Sequence, residues 1–321
     1  MISPDDFQHG FADAKGIRMH YVSHGEGPAV LLCHGFPESW YSWRHQIGAL
    51  AEAGFRAIAP DQRGYGQTEG PPEIEAYTQL NLIGDLVGLL DALEIEEAVV
   101  VGHDWGAPVA WNAALVRPDR FRAVACASVP YIPQGDVLPT GMLKTLSKEF
   151  FSYILYFQEP GPAEAELEAD VRTGLRRFFY TLSGEIPRDQ LRWDKNPRNS
   201  KFMDQLTEPP TPMAWLDDAE LDFFVAEFER RGFRNGLNWY RCIDRSWAQM
   251  RAFRGRHPEV PAAFIQGEFD YPGANDDVLA LMEATLPGWR GATKIPGAGH
   301  WVQQERPDEF NTALIAFLRG L

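Results

Sequence analysis

The sequence predicts an α/β fold in which a mostly parallel sheet is flanked by helices and carries an inserted helical domain. In residues 1–130 and 256–321, short apolar runs that suit buried strands alternate with segments of helical periodicity. That alternation is typical of a parallel sheet covered by helices. Between them, residues 131–255 lose the alternation and contain aromatic residues at helical spacing. We therefore expect one core formed by the two outer sections and a helical cap at residues 131–255.

Each element follows from its own pattern. Strands are predicted at residues 17–23, 29–33, 56–60, 98–101, 123–127, 262–265 and 293–295. Helices are predicted around residues 80–90, 107–116 and 278–286, and from Pro307 onward. In the cap, Leu221, Phe224, Val225 and Phe228 form one helical stripe, and Tyr240, Ile243, Trp247 and Met250 form another.

Composition excludes several classes of function. A net charge of -15 and a pI near 5.0 argue against a nucleic-acid partner, which needs clustered positive charge. We expect no membrane segment, because no apolar run approaches the roughly 20 residues needed to cross a bilayer. The three cysteines, Cys33, Cys126 and Cys242, suit buried thiols in a reducing compartment, so we predict a cytoplasmic protein. No metal or phosphate-binding motif occurs, and we expect no cofactor.

A glycine-flanked aspartate follows the strand at residues 98–101. Gly102-x-Asp104-x-Gly106 has the spacing of the nucleophile elbow, in which a tight strand-to-helix turn exposes a nucleophile, here aspartate in place of serine. The alternative is that Asp104 only caps the helix, since aspartate is a favoured N-cap residue. The glycines on both sides favour the elbow.

Two further polar residues follow later strands. Asp270 comes after the strand at 262–265 and His300 after the strand at 293–295, giving the order nucleophile, acid, histidine that α/β-hydrolases use. A histidine in this position can also be structural, and aspartate is a common turn residue. Because parallel sheets place their sites at the carboxyl ends of strands, the three together favour catalysis.

The segment after the strand at residues 29–33 is predicted to supply an oxyanion hole. Its loop should bring the Phe36 backbone N–H beside the elbow, where it would act with the N–H of Trp105. A plain strand-ending turn is the alternative. Phe36–Pro37 is a candidate cis peptide bond.

Aspartate in place of serine changes the expected chemistry. A carboxylate is ionised at neutral pH and needs no base to activate it. Attack on an ester would give an unstable anhydride, whereas attack on an electrophilic alkyl carbon gives an ordinary ester. His300, steadied by Asp270, would then activate the water that hydrolyses this ester.

The leaving group separates two functions. An epoxide expels a basic alkoxide that needs a proton, whereas a halide needs only N–H donors. Tyr153 and Tyr240 in the cap are candidate proton donors. Spacing alone does not choose them over the other cap tyrosines, Tyr131, Tyr156 and Tyr180.

Over nearly its whole length the chain resembles the soluble-type epoxide hydrolases of the α/β-hydrolase superfamily. The similar blocks are residues 34–40 (HGFPESW), 61–66 (DQRGYG), 102–106 (GHDWG), Tyr153, 156–161 (YFQEPG), 238–241 (NWYR) and 299–301 (GHW). The resemblance implies that Tyr153 and Tyr240 grip and protonate an epoxide. The resemblance extends to the hydrolase half of the larger animal enzymes, and we expect no counterpart of their phosphatase-like N-terminal domain.

Two rival functions remain at this point. Haloalkane dehalogenases share the aspartate nucleophile and the tryptophan after it, but typically carry a halide donor where this chain has Phe36. A non-catalytic binding member is the other rival.

The cap aromatics Trp215, Phe223 and Trp247, together with Trp301, are candidates for the wall of an apolar substrate pocket. We expect a small apolar epoxide as substrate, and a monomer or homodimer.

Overall fold

The strands form one mixed sheet. The computed structural model describes residues 3–191, 196–271 and 273–321. In these ranges the strands are β1 (Gln8–Asp13), β2 (Arg18–His24), β3 (Ala29–Cys33), β4 (Arg56–Pro60), β5 (Ala98–His103), β6 (Phe121–Ala127), β7 (Ala262–Gly267) and β8 (Trp289–Ile295). Their order is β1-β2-β4-β3-β5-β6-β7-β8. The pairs β1–β2 and β2–β4 are antiparallel and the other five are parallel. The predicted mostly parallel sheet is confirmed.

Helices cover the sheet and fill the interval between β6 and β7. Those beside the sheet are α1 (Arg44–Glu52), α2 (Gln79–Ala92), α3 (Gly106–Val116), α11 (Asp276–Thr285), α12 (Val302–Glu305) and α13 (Pro307–Arg319). Those between β6 and β7 are α4 (Pro139–Leu146), α5 (Tyr153–Tyr156), α6 (Pro162–Ala169), α7 (Val171–Leu182), α8 (Asp218–Arg231), α9 (Arg234–Arg241) and α10 (Ile243–Met250). The division of the chain at residues 131 and 255 stays a prediction.

Two elements differ from the sequence pattern. Strand β1 was not predicted, because it lies at the sheet edge and its mostly exposed side chains show no apolar alternation. The stripe from Tyr240 to Met250 was read as one helix, but it is divided between α9 and α10. Cys242 lies between them, with φ -90° and ψ 0°, and its thiol hydrogen-bonds to the Ile74 carbonyl at 2.7 Å. A local tertiary contact therefore coincides with the break.

The parallel strands bring the predicted site residues to one edge of the sheet. Strands β3 and β5 are buried along their whole length and lie side by side, with Cys33 opposite Gly102. Phe36 follows β3 and Asp104 follows β5. Asp270 and His300 follow β7 and β8, which are also neighbours. The carboxyl ends of these four strands thus carry the residues singled out from the sequence.

The turn from β5 into α3 leaves no room for a side chain at positions 102 and 106, two residues before and after Asp104. A Cβ atom at Gly106 would lie 2.0 Å from the Cys33 carbonyl oxygen, and one at Gly102 would lie 2.2 Å from the Gly106 carbonyl oxygen. Asp104 itself has φ 48°, in the left-handed region. Both flanking glycines are therefore needed for close backbone approach.

We expect Gly106→Ala to destabilise the protein by about 2 kcal/mol or more, because its methyl group would push β3 and α3 apart. Gly48→Ala is the matched control: it lies inside α1 with nothing within 4 Å of the new Cβ. It should be neutral or stabilising by about 0.5–1 kcal/mol. Urea unfolding measures both. Equal effects of the two substitutions would contradict the steric explanation.

Candidate active site

The Asp104 carboxylate faces two neighbouring loops. Its Oδ1 accepts a hydrogen bond from the Phe36 backbone N–H at 2.7 Å, and its Oδ2 lies 3.4 Å from His300 Nε2. Helix α3 begins with Trp105 at its N-cap position and has no side-chain cap. The carboxylate therefore points into the site and not at the first turn of the helix, which removes the capping alternative.

His300 is held between two carboxylates. Its Nδ1 lies 2.9 Å from Asp270 Oδ1, and its Nε2 faces Asp104. The Asp270 side chain is fully buried, and within the described residues its Oδ2 has no hydrogen-bond partner. The sequence gives only the order of these three residues along the chain. In the structure, the His300 side chain lies between those of Asp104 and Asp270.

The two carboxylates control the charge of the imidazole. Burial alone lowers the pKa of His300, but the charges of Asp270 and Asp104 outweigh that effect and raise the pKa to about 10. His300 is consequently protonated at neutral pH.

The Phe36 loop has the geometry expected of an oxyanion site. The Phe36 N–H already donates to a carboxylate oxygen, and Phe36–Pro37 is a cis peptide bond, as the sequence suggested. Trp105 stands at the N-terminus of α3, where backbone N–H groups are free of helical partners. The Phe36 N–H is therefore bonded to the Asp104 carboxyl group, and the participation of the Trp105 N–H stays a prediction.

Tyr153 and Tyr240 lie next to each other, edge to face, and line the same cavity as Asp104. Tyr153 begins α5, Tyr240 lies in α9, and their ring centroids are 5.9 Å apart. Burial, followed by the nearby Asp104 charge, raises the pKa of both phenols well above the ordinary value of 10. Both hydroxyls therefore remain protonated and able to donate hydrogen bonds over the physiological pH range.

These groups share one largely apolar cavity. It has a volume of about 230 Å³. Its lining residues are Phe36, Asp104, Trp105, Pro108, Val129, Tyr153, Ile154, Phe178, Leu182, Tyr240, Ile243, Tyr271 and His300. Such a cavity suits a small apolar ligand with one reactive polar group.

The aromatic pocket residues expected from the sequence need correction. Trp215 packs on Phe179, with ring centroids 6.0 Å apart, and Phe223 packs on Tyr41, with centroids 4.3 Å apart. Trp301 is fully buried and donates its indole N–H to the Phe179 carbonyl at 2.8 Å. None of these three residues lines the cavity, because their helix or loop faces turn toward other packing partners.

Trp247, named with them, does not line this cavity either, since its indole donates to the Gly135 carbonyl at 3.2 Å. The wall is formed instead by Phe178, Leu182, Ile154 and Tyr271. Tyr271 directly follows Asp270 in the sequence. That position next to the predicted acid was the one sequence feature that could have indicated a place for Tyr271 in the cavity wall.

A buried hydrogen-bonded pair that sequence reasoning missed, Glu38 and His103, joins the loops of the site. Glu38 accepts hydrogen bonds from the Gly35 N–H at 2.7 Å and from His103 Nδ1 at 2.8 Å. The other ring nitrogen of His103, Nε2, lies 2.8 Å from the His300 carbonyl oxygen. Burial raises the pKa of Glu38, but its interactions with His103, His34 and the Gly35 N–H together outweigh that effect and lower the pKa to about 2. The sequence did offer a clue to this pair, because Glu38 lies in the block at residues 34–40 and His103 in the block at residues 102–106.

The part of the chain that the structure describes contains no cluster of three or more His, Cys, Asp or Glu side chains suited to a metal ion. In the same residues, no helix is long and apolar enough to cross a membrane.

The charge on His300 predicts a pH-dependent stability. In the folded protein the pKa of His300 is about 10, above its ordinary value of 6.5. The protonated imidazole therefore contributes fully to the free energy of unfolding below pH 6.5, and this contribution is lost as the pH rises through 10. The difference in unfolding free energy between wild type and His300→Gln should therefore shrink from about pH 6 to about pH 10 in urea titrations. His24→Gln controls for loss of an exposed imidazole. A constant difference would contradict the charge assignment.

A family model described as the alpha/beta hydrolase fold matches residues 28–307. Epoxide hydrolase A of Mycobacterium tuberculosis is 47% identical over 96% of this chain and 96% of its own length. The mouse bifunctional epoxide hydrolase 2 is 41% identical over 99% of this chain, which spans 56% of that longer protein.

Solved structures agree with these relatives. The crystal structure of epoxide hydrolase A from Mycobacterium thermoresistibile superposes with a TM-score of 0.92 at 46% identity, covering 98% of this chain and 99% of that one. Sequence and fold similarity thus extend over the same residues that form the site. The chain belongs to the epoxide hydrolases of the α/β-hydrolase fold.

Proposed function

We propose that this enzyme converts a small apolar epoxide and water to a vicinal diol through an ester formed on Asp104. The observation that carries this proposal is the position of the Asp104 carboxylate, between the Phe36 N–H and His300, in an apolar cavity that Tyr153 and Tyr240 also line. In the proposal, residues 1–130 and 256–321 form the catalytic core. Residues 131–255 form a cap that closes the cavity and supplies Tyr153 and Tyr240.

In the first step, a carboxylate oxygen of Asp104 attacks one carbon of the epoxide. The carbon–oxygen bond of the ring breaks as the new ester bond forms. Tyr153 and Tyr240 donate hydrogen bonds to the ring oxygen, and one of them transfers its proton to the emerging alkoxide. Their protonated state and their placement above Asp104 support this role.

Ester formation changes the charge of the site. It consumes the negative charge of Asp104, one of the two charges that raise the pKa of His300. His300 can then release its proton and act as a base, with Asp270 bonded to its Nδ1. The same imidazole is therefore an ion-pair partner before alkylation and a base after it.

In the second step, His300 removes a proton from water, and the oxygen of that water attacks the ester carbonyl of Asp104. The N–H groups of Phe36 and Trp105 bind the resulting oxyanion. The intermediate collapses, and the diol alkoxide leaves with the proton from His300. The proton that His300 released after alkylation passes through solvent to the tyrosinate, and the proton on the regenerated Asp104 carboxyl group passes to His300, which restores the starting state.

Charge and cysteine content support the remaining parts of the proposal. The net charge of -15 favours a small-molecule substrate over a nucleic acid. Cys33, Cys126 and Cys242 are buried and free, which suits the reducing cytoplasm. A monomer or homodimer stays a prediction.

The function is tested by incubating the enzyme with styrene oxide and, separately, with a bromoalkane. We expect diol from the first and no bromide from the second. Asp104→Ala should lower diol formation by roughly 10⁴-fold or more, because the nucleophile is lost. Bromide release at a rate similar to diol formation would instead favour the dehalogenase alternative.

A single turnover in water labelled with heavy oxygen tests the covalent step in the same reaction. The label should enter the Asp104 carboxylate, because water attacks the ester carbonyl and not the epoxide. Mass spectrometry of the peptide containing Asp104 detects it. Label in the first-turnover diol would rule out the ester.

The tyrosine pair gives an independent prediction. Tyr153→Phe and Tyr240→Phe should each slow epoxide opening by about 10²-fold, and the double substitution should nearly abolish it, because the alkoxide would leave without a proton. Stopped-flow measurement of ester formation gives the rates. Tyr156→Phe is the matched control, since that hydroxyl bonds Glu166 away from the cavity. Full activity of the double variant would place the acid elsewhere.

A further inference from the structure

A segment of the cap touches the histidine loop backbone to backbone. The chain leaving α7 presents the Leu182 carbonyl oxygen to the His300 N–H at 2.8 Å. A Cβ atom at Gly184 would lie 2.3 Å from the Gly297 carbonyl oxygen, and one at Gly299 would lie 2.4 Å from the Gly184 nitrogen. The two segments are therefore in direct main-chain contact, with no space for side chains between them.

The side chain of Glu305 stabilises this contact by hydrogen bonds to both segments. This side chain, at the end of α12, is buried, and its Oε2 accepts hydrogen bonds from Gly184 N–H at 2.7 Å and Gly299 N–H at 2.9 Å. Its Oε1 accepts from the Trp301 N–H at 3.0 Å. Gly299 and Trp301 are the two residues on either side of His300. One carboxylate thus holds both neighbours of the histidine and the cap segment.

The same segment also reaches the loop of the acid. Arg188 donates to the Ser183 carbonyl at 3.3 Å and to the Phe269 carbonyl at 3.0 Å. Its guanidinium carbon lies 4.5 Å from the centroid of the Phe269 ring. Phe269 precedes Asp270, so residues 182–188 contact the loops that carry both members of the His300–Asp270 pair.

We propose that Glu305 and cap residues 182–188 form a clamp that positions His300 for the hydrolytic step. The proposal rests on the role of His300 as the base in the proposed function. Glu305 is a positioning residue, because it contacts no residue that attacks or protonates the epoxide. Asp104 is oriented by its own turn and by the Phe36 N–H, and the proton donors lie on α5 and α9. Loosening the clamp should therefore impair hydrolysis of the ester while leaving its formation intact.

This role differs in kinetics from a purely structural one. When ester formation is effectively irreversible, kcat/KM reports steps up to alkylation, whereas kcat falls with the slower hydrolysis. A misplaced base should therefore lower kcat and KM together. General loss of structure would reduce both half-reactions.

The test is Glu305→Gln in the full chain with styrene oxide as substrate. The amide keeps the size of the side chain but turns an NH₂ group toward backbone N–H donors. We expect hydrolysis of the ester to slow by about 10-fold or more, with alkylation changed less than about 2-fold and kcat/KM preserved. Stopped-flow fluorescence and mass spectrometry of the trapped Asp104 ester measure the two steps. Equal loss in both steps, or no loss in either, would overturn the proposal.

Glu268→Gln is the matched control. Glu268 accepts one hydrogen bond at 3.0 Å from the N–H of Gly297, which lies in the loop that carries His300. Glu268 is exposed, however, and does not bind the two neighbours of His300. It should leave both steps unchanged. If Glu305→Gln does not fold, Arg188→Gln tests the clamp from the surface and should slow hydrolysis by about 3-fold, again without affecting alkylation.

His300→Gln separates the clamp from the proposed function. This variant should form the ester and fail to hydrolyse it. If it accumulates no ester, the proposed role of His300 is wrong. If it accumulates ester while Glu305→Gln behaves as wild type, only the clamp is wrong.

Discussion

The left-handed turn at Asp104 is the constraint on which the rest of the site depends. It takes the chain from the end of β5 to the start of α3 within two residues and aims the carboxylate away from the sheet. This conformation costs a non-glycine residue roughly 1–2 kcal/mol. It persists because the surroundings fix it: Gly102 and Gly106 permit the crossing, and the Phe36 N–H holds the carboxylate. In any other conformation Asp104 would not meet His300.

Buried ionisable side chains hold the loops around that turn. Glu38 and His103 connect the Phe36 loop to the His300 loop through the residue next to Asp104. Glu305 holds the His300 loop from the opposite direction and adds the cap. Because buried polar groups need hydrogen-bond partners, each of these side chains pairs with backbone N–H or C=O groups that irregular loops leave unpaired. Loops at the carboxyl edge of the sheet thereby gain the rigidity that catalysis requires.

Aromatic side chains from the interval between β6 and β7 surround the site with apolar groups. Five aromatic rings of residues 131–255 contact the ring of Phe36: Phe157, Phe178, Phe228, Phe233 and Tyr240. They remove water from the space above Asp104, which strengthens every charge interaction within it. That same exclusion of water raises the pKa of the two phenols and lets the carboxylates dominate the pKa of His300. Apolar packing and the order of proton transfers are therefore linked.

The sequence by itself determined the sheet and the residues at its carboxyl edge. Asp104, Asp270 and His300 each follow a strand, and the apolar pattern of a buried strand is local, so their convergence could be predicted. Tyr153 and Tyr240 required resemblance to known proteins, because helical spacing does not distinguish a tyrosine that faces a cavity from one in a core. The edge strand β1 carried no apolar alternation and was missed.

Only the tertiary structure decided which cap side chains face the cavity. Phe223 in α8 and Phe178 in α7 are both helical aromatic residues, but only Phe178 lines the cavity, because the rotation of each helix determines which side chains face it. Trp215 lies in the loop before α8 and packs on Phe179 instead. The partners of Glu305 were equally hidden, since Gly184 is far from it in sequence. Periodicity reports that a side chain is buried, whereas its partners depend on how distant segments pack.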